Sequence, residues 1–444
     1  MQALSRGLFY WASSYFCFMT TEELYKIYLK NPVVQTDTRK IKAGDIFFAL
    51  KGEKFNGNAF SKQAIDKGAV YAVIDEKEYE IPGKTILVKN VLETLQALAK
   101  HHKQQFNKPF LAITGSNGKT TTKELIHVVL SSSFKTYTTE GNLNNQIGIP
   151  LTILKIKPDA EIAVIEMGAN HQKEIASYCS YTLPTHGIIT NCGKAHLEGF
   201  GGLDGVKKGK GELFDYLRSN NGAAFVMWDY DYLHEMSKGI SNIIKYGTAD
   251  SDVEGQVVKS EPFLEVMIKH GTNISSIKTQ LVGDYNLPNV LAAVAVGKYF
   301  KVPDEKIKEA IENYSPSNNR SQLLQKGTNT IILDAYNANP GSMKPAIENF
   351  AHLTAEQKVL ILGGMAELGS ESLQEHKAIV DLIKKYQWKN VVLVGGDFLK
   401  FDHPFIKFNN AAEAKVWLQQ EHFENTCFLI KGSRTMQMEK VIEN

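Results

Sequence analysis

Apolar and polar residues follow one another in blocks that predict a mixed α/β protein. From residue 109 onward, short apolar runs typical of buried strands precede longer segments with helical spacing. The predicted strands are PFLAIT (109–114), AEIAVIEMG (160–168), HGIIT (186–190) and AAFVMW (223–228). The predicted helices are KELIHVVL (123–130) and NVLAAVAVGKYF (289–300). This alternation indicates a mostly parallel sheet covered by helices.

The same alternation returns after the polar stretch SPSNNRS (315–321), which is a plausible boundary. Four further strands there predict a Rossmann-like module: TIILDAY (330–336), KVLILGG (358–364), NVVLVGG (390–396) and CFLIKG (427–432). Ahead of residue 109, a small α/β domain is predicted from the apolar segments DIFFAL, AVYAVI and KTILV and from turn signals such as Asn56-Gly57. We therefore expect three domains: 19–108, 109–315 and 316–444.

The most apolar stretch, residues 7–19, is shorter than the roughly 20 residues that a membrane-spanning helix needs. It also lacks the small-residue end of a signal peptide, although Arg6 and the apolar run fit one in part. The following TTEELYKIYLKN predicts a helix capped by Thr20 or Thr21. We expect residues 1–18 to be an extension outside the core; a cleaved signal and a structural segment are the alternatives.

Composition excludes several classes of protein. With 444 residues, 43% hydrophobic and 22% charged, the chain has apolar material for several cores, which argues against disorder. A net charge of +2 argues against a nucleic-acid coat or a polybasic membrane protein. The four cysteines, widely spaced, form neither a disulfide framework nor a CxxC site. A reducing, cytoplasmic compartment fits best, with no nucleic-acid partner and no stable membrane insertion.

The strongest local signal lies between a predicted strand and a predicted helix, in ITGSNGKTTT (113–122). Glycines there would let backbone N–H groups surround phosphate oxygens, Lys119 would neutralise the β- and γ-phosphates, and the Thr120 hydroxyl would bind Mg²⁺. Ile113 replaces the first glycine of the general pattern, so this is a short form of the loop. The alternative is an ordinary strand-to-helix turn. The predicted ATP contacts in the loop are Gly115, Ser116, Asn117, Gly118, Lys119, Thr120 and Thr121. The loop alone leaves kinase, ATPase, GTPase and ligase open.

Further segments occur in a fixed order downstream: GNLNNQIGIPLTIL (141–154), EMGANHQKEI (166–175), TNCGKAHLEGFGG (190–202) and KKGKGELF (207–214). Together with the short loop they resemble the Mur ligases, which form amide bonds in bacterial cell-wall synthesis at the expense of ATP. The branch that adds D-alanyl-D-alanine is indicated by DAYNANPGSM (334–343), LGGMAELG (362–369), KGSRTMQMEKV (431–441) and, in the UDP-sugar-binding domain, residues 36–60. The resemblance covers residues 20–444.

The resemblance implies a small N-terminal α/β UDP-binding domain, a central ATP-binding domain and a C-terminal Rossmann-like domain. It implies that the cofactors are ATP and two Mg²⁺ ions. It also implies that the substrates are D-alanyl-D-alanine and UDP-N-acetylmuramoyl-tripeptide. The reaction would pass through an acyl phosphate. The implied catalytic set is Lys119, Glu166, His196 and Lys210, and the implied metal ligands are Thr120, Glu166, His196 and Lys210 as its carbamate. The respective alternatives are a surface carboxylate for Glu166, a structural histidine for His196 and a solvated helix face for Lys210.

The remaining implied contacts follow the same motifs. For ATP they are Asn286, Asn289, Arg320 and Asp334; for the uridine diphosphate they are Thr36, Asp37, Thr38 and Arg39. For the peptide substrates they are Asn142, Asn144, Asn145, Gln146, Tyr336, Asn337, Asn339, Lys431, Ser433 and Arg434. Helix caps, turns and salt bridges are the alternatives for these groups. The chain departs from the family pattern at Tyr285, where histidine is usual, at Asn319, where glycine is commoner, and at Gly364, where aspartate is frequent.

Four other interpretations of the sequence compete with this one. Amino-acid-adding Mur ligases and folylpolyglutamate synthase share the fold, but the AYNANP and KGSR segments argue against them. A non-catalytic nucleotide-binding scaffold would keep the loop without the metal set. A P-loop kinase is disfavoured by the short loop and by two further domains. We expect a monomer whose C-terminal domain moves to bring Arg320 and Asp334 to the phosphates.

Overall fold

The computed structural model describes residues 19–317 and 319–443. The chain divides into two compact units between Gln105 and Phe106. The extension predicted for residues 1–18 lies outside the described residues. The helix predicted after Met19 is confirmed, with Thr20 as its N-cap and Glu23 completing a capping box.

The first unit is a small α/β fold, as predicted. Its sheet has the order β1-β2-β5-β6, and all neighbouring strands in it are parallel. A separate antiparallel pair is formed by β3 and β4. The strands are β1 (Val34–Gln35), β2 (Ile46–Phe48), β3 (Lys51–Gly52), β4 (Phe55–Asn56), β5 (Tyr71–Ile74) and β6 (Thr85–Leu87). The helices are α1 (Thr21–Lys30), α2 (Ser61–Asp66) and α3 (Val91–Gln104). Phe47, Ala72 and Ile74 lie in its buried core.

The second unit begins with the predicted parallel sheet. Its strands are β7 (Phe110–Thr114), β8 (Thr136–Thr138), β9 (Ile162–Glu166), β10 (His186–Ile189), β11 (Ala223–Met227), β12 (Asn242–Gly247), β13 (Val253–Lys259), β14 (Glu265–His270) and β15 (Ser276–Lys278). The order is β15-β14-β13-β12-β11-β10-β7-β9-β8. From β13 to β8 the neighbours are parallel, whereas β14 and β15 extend the sheet in antiparallel fashion. Sequence analysis did not anticipate that extension.

Helices cover this sheet, and one of them is buried on almost every face. They are α4 (Lys119–Ser131), α5 (Gly148–Leu154), α6 (Glu174–Thr182), α7 (Leu197–Phe200), α8 (Leu203–Ser219), α9 (Asp231–Ser237), α10 (Leu287–Tyr299) and α11 (Asp304–Glu312). The apolar sequence of α10 leaves it no polar face, and it packs against α4. The loop at the start of α4 is therefore supported by a buried helix.

The C-terminal part of the second unit has its own sheet, in the order β16-β17-β21-β18-β19-β20. Its strands are β16 (Gln322–Lys326), β17 (Asn329–Asp334), β18 (Gln357–Gly363), β19 (Asn390–Val394), β20 (Ile406–Phe408) and β21 (Thr426–Lys431), and its helices are α12 (Pro340–His352), α13 (Ser372–Ile383) and α14 (Ala411–Gln420). Except for the antiparallel β16, neighbouring strands are parallel, so the Rossmann-like prediction is confirmed.

The topology of the central sheet favours a ligand site after β7. The chain leaves β7 toward β8 and β9 on one side and later returns to β10 and β11 on the other. The crevice at the carboxyl ends of β7 and β10 is therefore a topological switch point, where open α/β sheets bind ligands. Among residues 19–317 and 319–443, no helix is long and apolar enough to cross a membrane.

Candidate active site

A cavity of about 950 Å³ lies within the second unit. Its lining includes residues at or just after the carboxyl ends of β7, β9, β10 and β11, and residues of the C-terminal part at or just after the carboxyl ends of β17 and β21. Candidate residues from distant motifs thus line the same cavity: Lys119, Thr120, Glu166, His196, Arg320 and Asp334. The other predicted residues of this unit that line it are Ser116, Asn117, Gly118, Thr121, Asn144, Asn145, Asn286, Asn289, Tyr336, Asn337, Asn339 and Lys431.

The loop after β7 is built onto the end of β10. The Asn117 N–H donates to Asn191 Oδ1 at 3.0 Å, and the Thr190 hydroxyl donates to the Asn117 carbonyl at 2.6 Å. Gly115 has φ of +146°, and a Cβ there would collide with the Thr190 hydroxyl oxygen. Only glycine fits both the backbone conformation and the space at that position.

Helix α4 begins directly at the loop and directs its free N–H groups to the cavity. The first four N–H groups of a helix have no intrahelical partner, and the positive end of the helix dipole lies there. The Ser116 and Asn117 N–H groups are already bound to Asn191. Donors for an anion are therefore expected from Gly118 and the first turn of α4.

The Lys119 side chain folds over the loop. Its ammonium donates to the Gly115 carbonyl at 2.7 Å and to the Ser116 carbonyl at 3.3 Å. Burial lowers the pKa of Lys119. The Glu166 charge raises this pKa in part, and the Arg320 charge lowers it by a smaller amount. These three charged groups, from three separate motifs, are therefore close enough to affect one another's ionisation.

Glu166 ends β9 and is 1% exposed, so it is not a surface carboxylate. Its Oε1 accepts a hydrogen bond of 2.8 Å from the Asn144 amide. Its Oε2 is buried and has no hydrogen-bond partner within the described ranges. A buried carboxylate oxygen without a partner costs free energy unless it meets a cation or a donor. Thr120, which also lines the cavity, is 8% exposed.

His196 lies in the loop after β10, in the left-handed region at φ of +54°. Its Nδ1 is 2.5 Å from Glu367 Oε2, which belongs to the C-terminal part. The two atoms are within ion-pair distance, but Nδ1 has no hydrogen-bond partner of acceptable geometry among the residues described. The imidazole holds the pKa of the Glu367 carboxyl below its usual value. His196 is therefore in contact with both parts of the unit.

Lys210 is not on a solvated helix face. It is 1% exposed in the middle of α8, and its ammonium donates to the Ala169 carbonyl at 3.0 Å. Burial, with a smaller contribution from the Lys119 charge, lowers its pKa to about 7. Lys210 does not itself line the cavity; Ala169, its hydrogen-bond partner, does.

Asn286 and Asn289 line the cavity, but their amide groups bind to the protein. Asn289 Oδ1 accepts from the Thr122 hydroxyl at 2.9 Å, and its Nδ2 donates to Asn286 Oδ1 at 2.8 Å. The Asn286 Nδ2 donates to the Val282 carbonyl at 2.9 Å. This chain of hydrogen bonds ties α10 to α4. Its geometry favours a role in positioning the phosphate loop over direct recognition of a base.

The C-terminal part contributes a cationic and aromatic wall. The Arg320 guanidinium stacks on the Tyr336 ring, 3.6 Å from its centroid. Ser433 and Arg434 are predicted substrate contacts outside the lining: Ser433 donates to the Gly364 carbonyl at 2.6 Å, and Arg434 is 3.7 Å from Glu439. The structure thus brings Arg320 and Tyr336 into the cavity lining, whereas Ser433 and Arg434 are outside it, with the Arg434 guanidinium 5.6 Å from the centroid of the Tyr336 ring.

Four further predicted residues lie in the first unit. The exposed Arg39 forms an ion pair of 2.8 Å with the half-buried Asp37. The Thr38 carbonyl accepts a hydrogen bond from the Lys67 ammonium, and Thr36 directly follows β1. In the second unit, Asn142 and Gln146 are outside the described lining of the cavity, although the neighbouring Asn144 and Asn145 belong to it.

Sequence reasoning missed several residues of the cavity. Asp229, Tyr230 and Tyr232 follow β11 and line the cavity. Their position just after a predicted buried strand was the available signal, because side chains at such strand ends face the ligand crevice in α/β sheets. Glu367 does not line the cavity but contacts His196, which does, and it was missed because the two residues are distant in sequence.

The fold and this site define a nucleotide-dependent α/β enzyme. Family models match three successive segments: "Mur ligase family, catalytic domain" at 32–105, "Mur ligase middle domain" at 113–297 and "Mur ligase, glutamate ligase domain" at 319–433. The chain belongs to the Mur ligase family, and it is a ligase of the ATP-dependent class.

Within the Mur ligase family, the chain is similar to relatives of one particular kind. The UDP-N-acetylmuramoyl-tripeptide--D-alanyl-D-alanine ligase of Escherichia coli K12 is 34% identical over 423 residues, covering 92% of each chain. The enzyme of the same name from Bacillus subtilis is 32% identical, covering 93% of this chain and 92% of its own. The crystal structure of MurF from Acinetobacter baumannii is 30% identical, with a TM-score of 0.83 and 92% coverage of each chain. The similarity in sequence and in fold thus covers more than nine-tenths of each chain.

Proposed function

We propose that this protein joins D-alanyl-D-alanine to UDP-N-acetylmuramoyl-tripeptide, using ATP, in the cytoplasmic synthesis of peptidoglycan precursors. The observation that carries the proposal is the single cavity that gathers Lys119, Glu166 and His196 with Arg320 and Tyr336 of the C-terminal part. Relatives of the corresponding name match the chain over nearly its whole length.

The reaction needs an activated carboxylate, because carboxylate oxygen is a poor leaving group. The terminal carboxylate of the tripeptide attacks the γ-phosphorus of ATP, which gives an acyl phosphate and ADP. The amine of D-alanyl-D-alanine then attacks the acyl carbon, and the resulting tetrahedral intermediate loses phosphate and a proton to leave the amide. No protein nucleophile is required, so binding, orientation and charge stabilisation are the tasks of the protein.

In this scheme, N–H groups and cationic side chains of the protein bind the phosphates. The N–H groups at the start of α4 bind the phosphate oxygens, and Lys119 leaves the loop carbonyls to neutralise charge on the transferring group. Arg320, held on the face of Tyr336, approaches from the C-terminal part. Arginine in such a stacked position can stabilise the charge that develops during phosphoryl transfer.

The residues present fit Mg²⁺ bound together with the nucleotide. No group of three His, Cys, Asp or Glu side chains in the described part of the chain could hold a metal alone. Mg²⁺ usually takes one or two carboxylates and completes its shell with water and phosphate oxygens. The unpartnered Glu166 Oε2 and the Thr120 hydroxyl would hold one ion. His196 would hold a second ion together with Lys210, which reaches the cavity lining through its hydrogen-bond partner Ala169. When bound, the ions supply charge neutralisation between the phosphates and the attacking carboxylate.

A positively charged Lys210 would repel Mg²⁺, but its burial favours the neutral amine. A pKa near 7 leaves much of the amine neutral at physiological pH. The neutral amine can add CO₂ at Nζ and release one proton, which converts the side chain into an anionic carbamate. That carbamate is the form in which we propose Lys210 as a metal ligand.

The remaining assignments of the proposal follow the family motifs. The uridine diphosphate is bound by Thr36, Asp37, Thr38 and Arg39. The dipeptide pocket is formed by Tyr336, Asn337, Lys431, Ser433 and Arg434. The protein acts as a monomer, with domain boundaries near 108 and 315.

The experiment that tests the proposal offers the purified chain ATP, Mg²⁺ and UDP-N-acetylmuramoyl-tripeptide with either D-alanyl-D-alanine or a single amino acid as the acceptor. D-Alanyl-D-alanine should give the pentapeptide and one phosphate per product, as measured by mass spectrometry and phosphate release. D-Alanine, L-lysine or glutamate alone should give no product. Equal use of a single amino acid would assign the chain to another branch of the family.

A further inference from the structure

Asn339 connects the C-terminal part directly to the phosphate loop. Its Nδ2 donates a hydrogen bond of 2.8 Å to Asn117 Oδ1, across a separation of 222 residues. Asn339 is 5% exposed, so water competes little for this hydrogen bond.

The second role of Asn339 fixes the orientation of its amide. Asn339 is the N-cap of α12, and its Oδ1 accepts from the Ser342 N–H at 3.0 Å. Because that oxygen must face the helix, the Nδ2 group must face Asn117. The side chain is therefore held at one end by a helix and at the other by the loop.

Close packing at Gly341 supports the same contact. A Cβ at Gly341 would lie 3.1 Å from the Asn117 Nδ2, which is tighter than ordinary van der Waals contact. The absence of a side chain in the first turn of α12 therefore lets the helix approach the loop. On its other side, Asn117 is held by the hydrogen bonds of its own backbone to Thr190 and Asn191.

We propose that Asn339 is a positioning residue for the phosphate loop, which makes nucleotide affinity depend on the docked AYNANP segment. The family resemblance places this asparagine in the dipeptide pocket; the geometry assigns it to the nucleotide site through Asn117. The inference rests on the part of the proposed function that assigns ATP to this cavity. It predicts that the contact between α12 and the phosphate loop affects nucleotide affinity even when neither peptide substrate is bound.

The test measures ADP binding to the full chain by isothermal titration calorimetry, in Mg²⁺ and without peptide substrates. Asn339→Ser keeps a good helix cap but is too short to reach Asn117. The loss of one neutral hydrogen bond should raise the Kd for ADP about fivefold. Asn410 caps α14 through the Glu413 N–H, so Asn410→Ser is the matched control and should leave the Kd unchanged.

A double-mutant cycle separates positioning from a general effect on structure. In an Asn117→Ala background, Asn339→Ser should have no further effect on the Kd, because its partner is already missing. Gly341→Ala provides a second variant: alanine favours the helix, so thermal stability should be kept, yet the methyl group should weaken ADP binding.

The outcomes are distinct. An unchanged Kd in Asn339→Ser, or additive effects in the cycle, would overturn the proposal. So would a rise confined to the KM for D-alanyl-D-alanine, since that would make Asn339 a dipeptide ligand. Ligation by the unmodified chain is measured alongside. A chain that binds ADP but forms no pentapeptide would refute the proposed function while leaving this test intact.

Discussion

Asp334 and Lys431 are register partners on the neighbouring strands β17 and β21, and their Oδ2 and Nζ atoms are 2.5 Å apart. Lys431 is only 2% exposed, and its ammonium also donates to the Asn337 carbonyl at 3.2 Å. The second oxygen of Asp334 accepts from the Ser321 N–H. This buried pair therefore supports the AYNANP segment from beneath, in addition to any contact with a ligand.

Removal of one member should leave the other charge without its partner. Lys431→Met should lower the free energy of unfolding by about 3 kcal/mol, the usual cost of breaking a buried ion pair. The midpoint of urea unfolding measures this. The double variant Asp334→Asn with Lys431→Met should recover part of the loss. A double variant as unstable as the sum of the single ones would contradict this account.

Glu166→Gln should abolish most activity without unfolding the protein. Glutamine keeps the oxygen that accepts from Asn144 but removes the charge that we assign to Mg²⁺. We expect a loss of about 100-fold in kcat and a higher Mg²⁺ requirement. Glu161, exposed just before the opposite end of β9, provides the control Glu161→Gln. Wild-type Mg²⁺ dependence in Glu166→Gln would refute the ligand role.

Lys210→Ala should lose activity and regain part of it when short carboxylic acids such as acetate or formate are added. These acids can occupy the space of the missing carbamate and restore its negative oxygens. Steady-state phosphate release is the measurement. Lys208→Ala, on the exposed face of the same helix, should behave like the unmodified protein. A variant that no acid rescues would count against the carbamate.

His186 should make the protein less stable in acid. Burial against Phe225, Tyr299 and Phe300 lowers its pKa to about 4 from 6.5. Between these values the unfolded chain takes up a proton that the native state does not, so stability present above pH 6.5 is lost as the pH falls toward 4. His186→Phe removes this titration.

The comparison of the two pH profiles gives the size of the effect. Between pH 7 and pH 4, the unmodified protein should lose about 2–3 kcal/mol more of its unfolding free energy than the variant. Urea unfolding at several pH values measures both. Parallel profiles would show that His186 ionises equally well in the folded and the unfolded state.

Much of the fold followed from the sequence because buried parallel strands leave a strong apolar signal. FLAIT, IAVIE and TIILD are strands at the predicted places. The antiparallel β14 was not predicted, since EVMIKH alternates buried and exposed residues and carries charges. The formation of such a strand depends on the strands that pair with it, here β13 and β15, more than on its own composition.

The candidate site was predictable where one motif acts locally and not where distant residues meet. The loop at 113–122 combines a strand, glycines and a helix start, so its placement at a cavity could be expected. The hydrogen bond between the Thr122 hydroxyl and Asn289 Oδ1 could not be expected from the sequence. It forms because α10 packs against α4, and the two residues are 167 positions apart. The same holds for Glu367 beside His196 and for Asn339 beside Asn117.

The most direct test of the central claim follows an oxygen atom. UDP-N-acetylmuramoyl-tripeptide labelled with ¹⁸O in its reacting carboxylate is incubated with the protein, ATP, Mg²⁺ and D-alanyl-D-alanine, and the released phosphate is analysed by mass spectrometry. If the carboxylate accepts the γ-phosphoryl group of ATP, each phosphate released will carry one ¹⁸O from the peptide. Pentapeptide formed with unlabelled phosphate would contradict the acyl phosphate and the role given to the cavity.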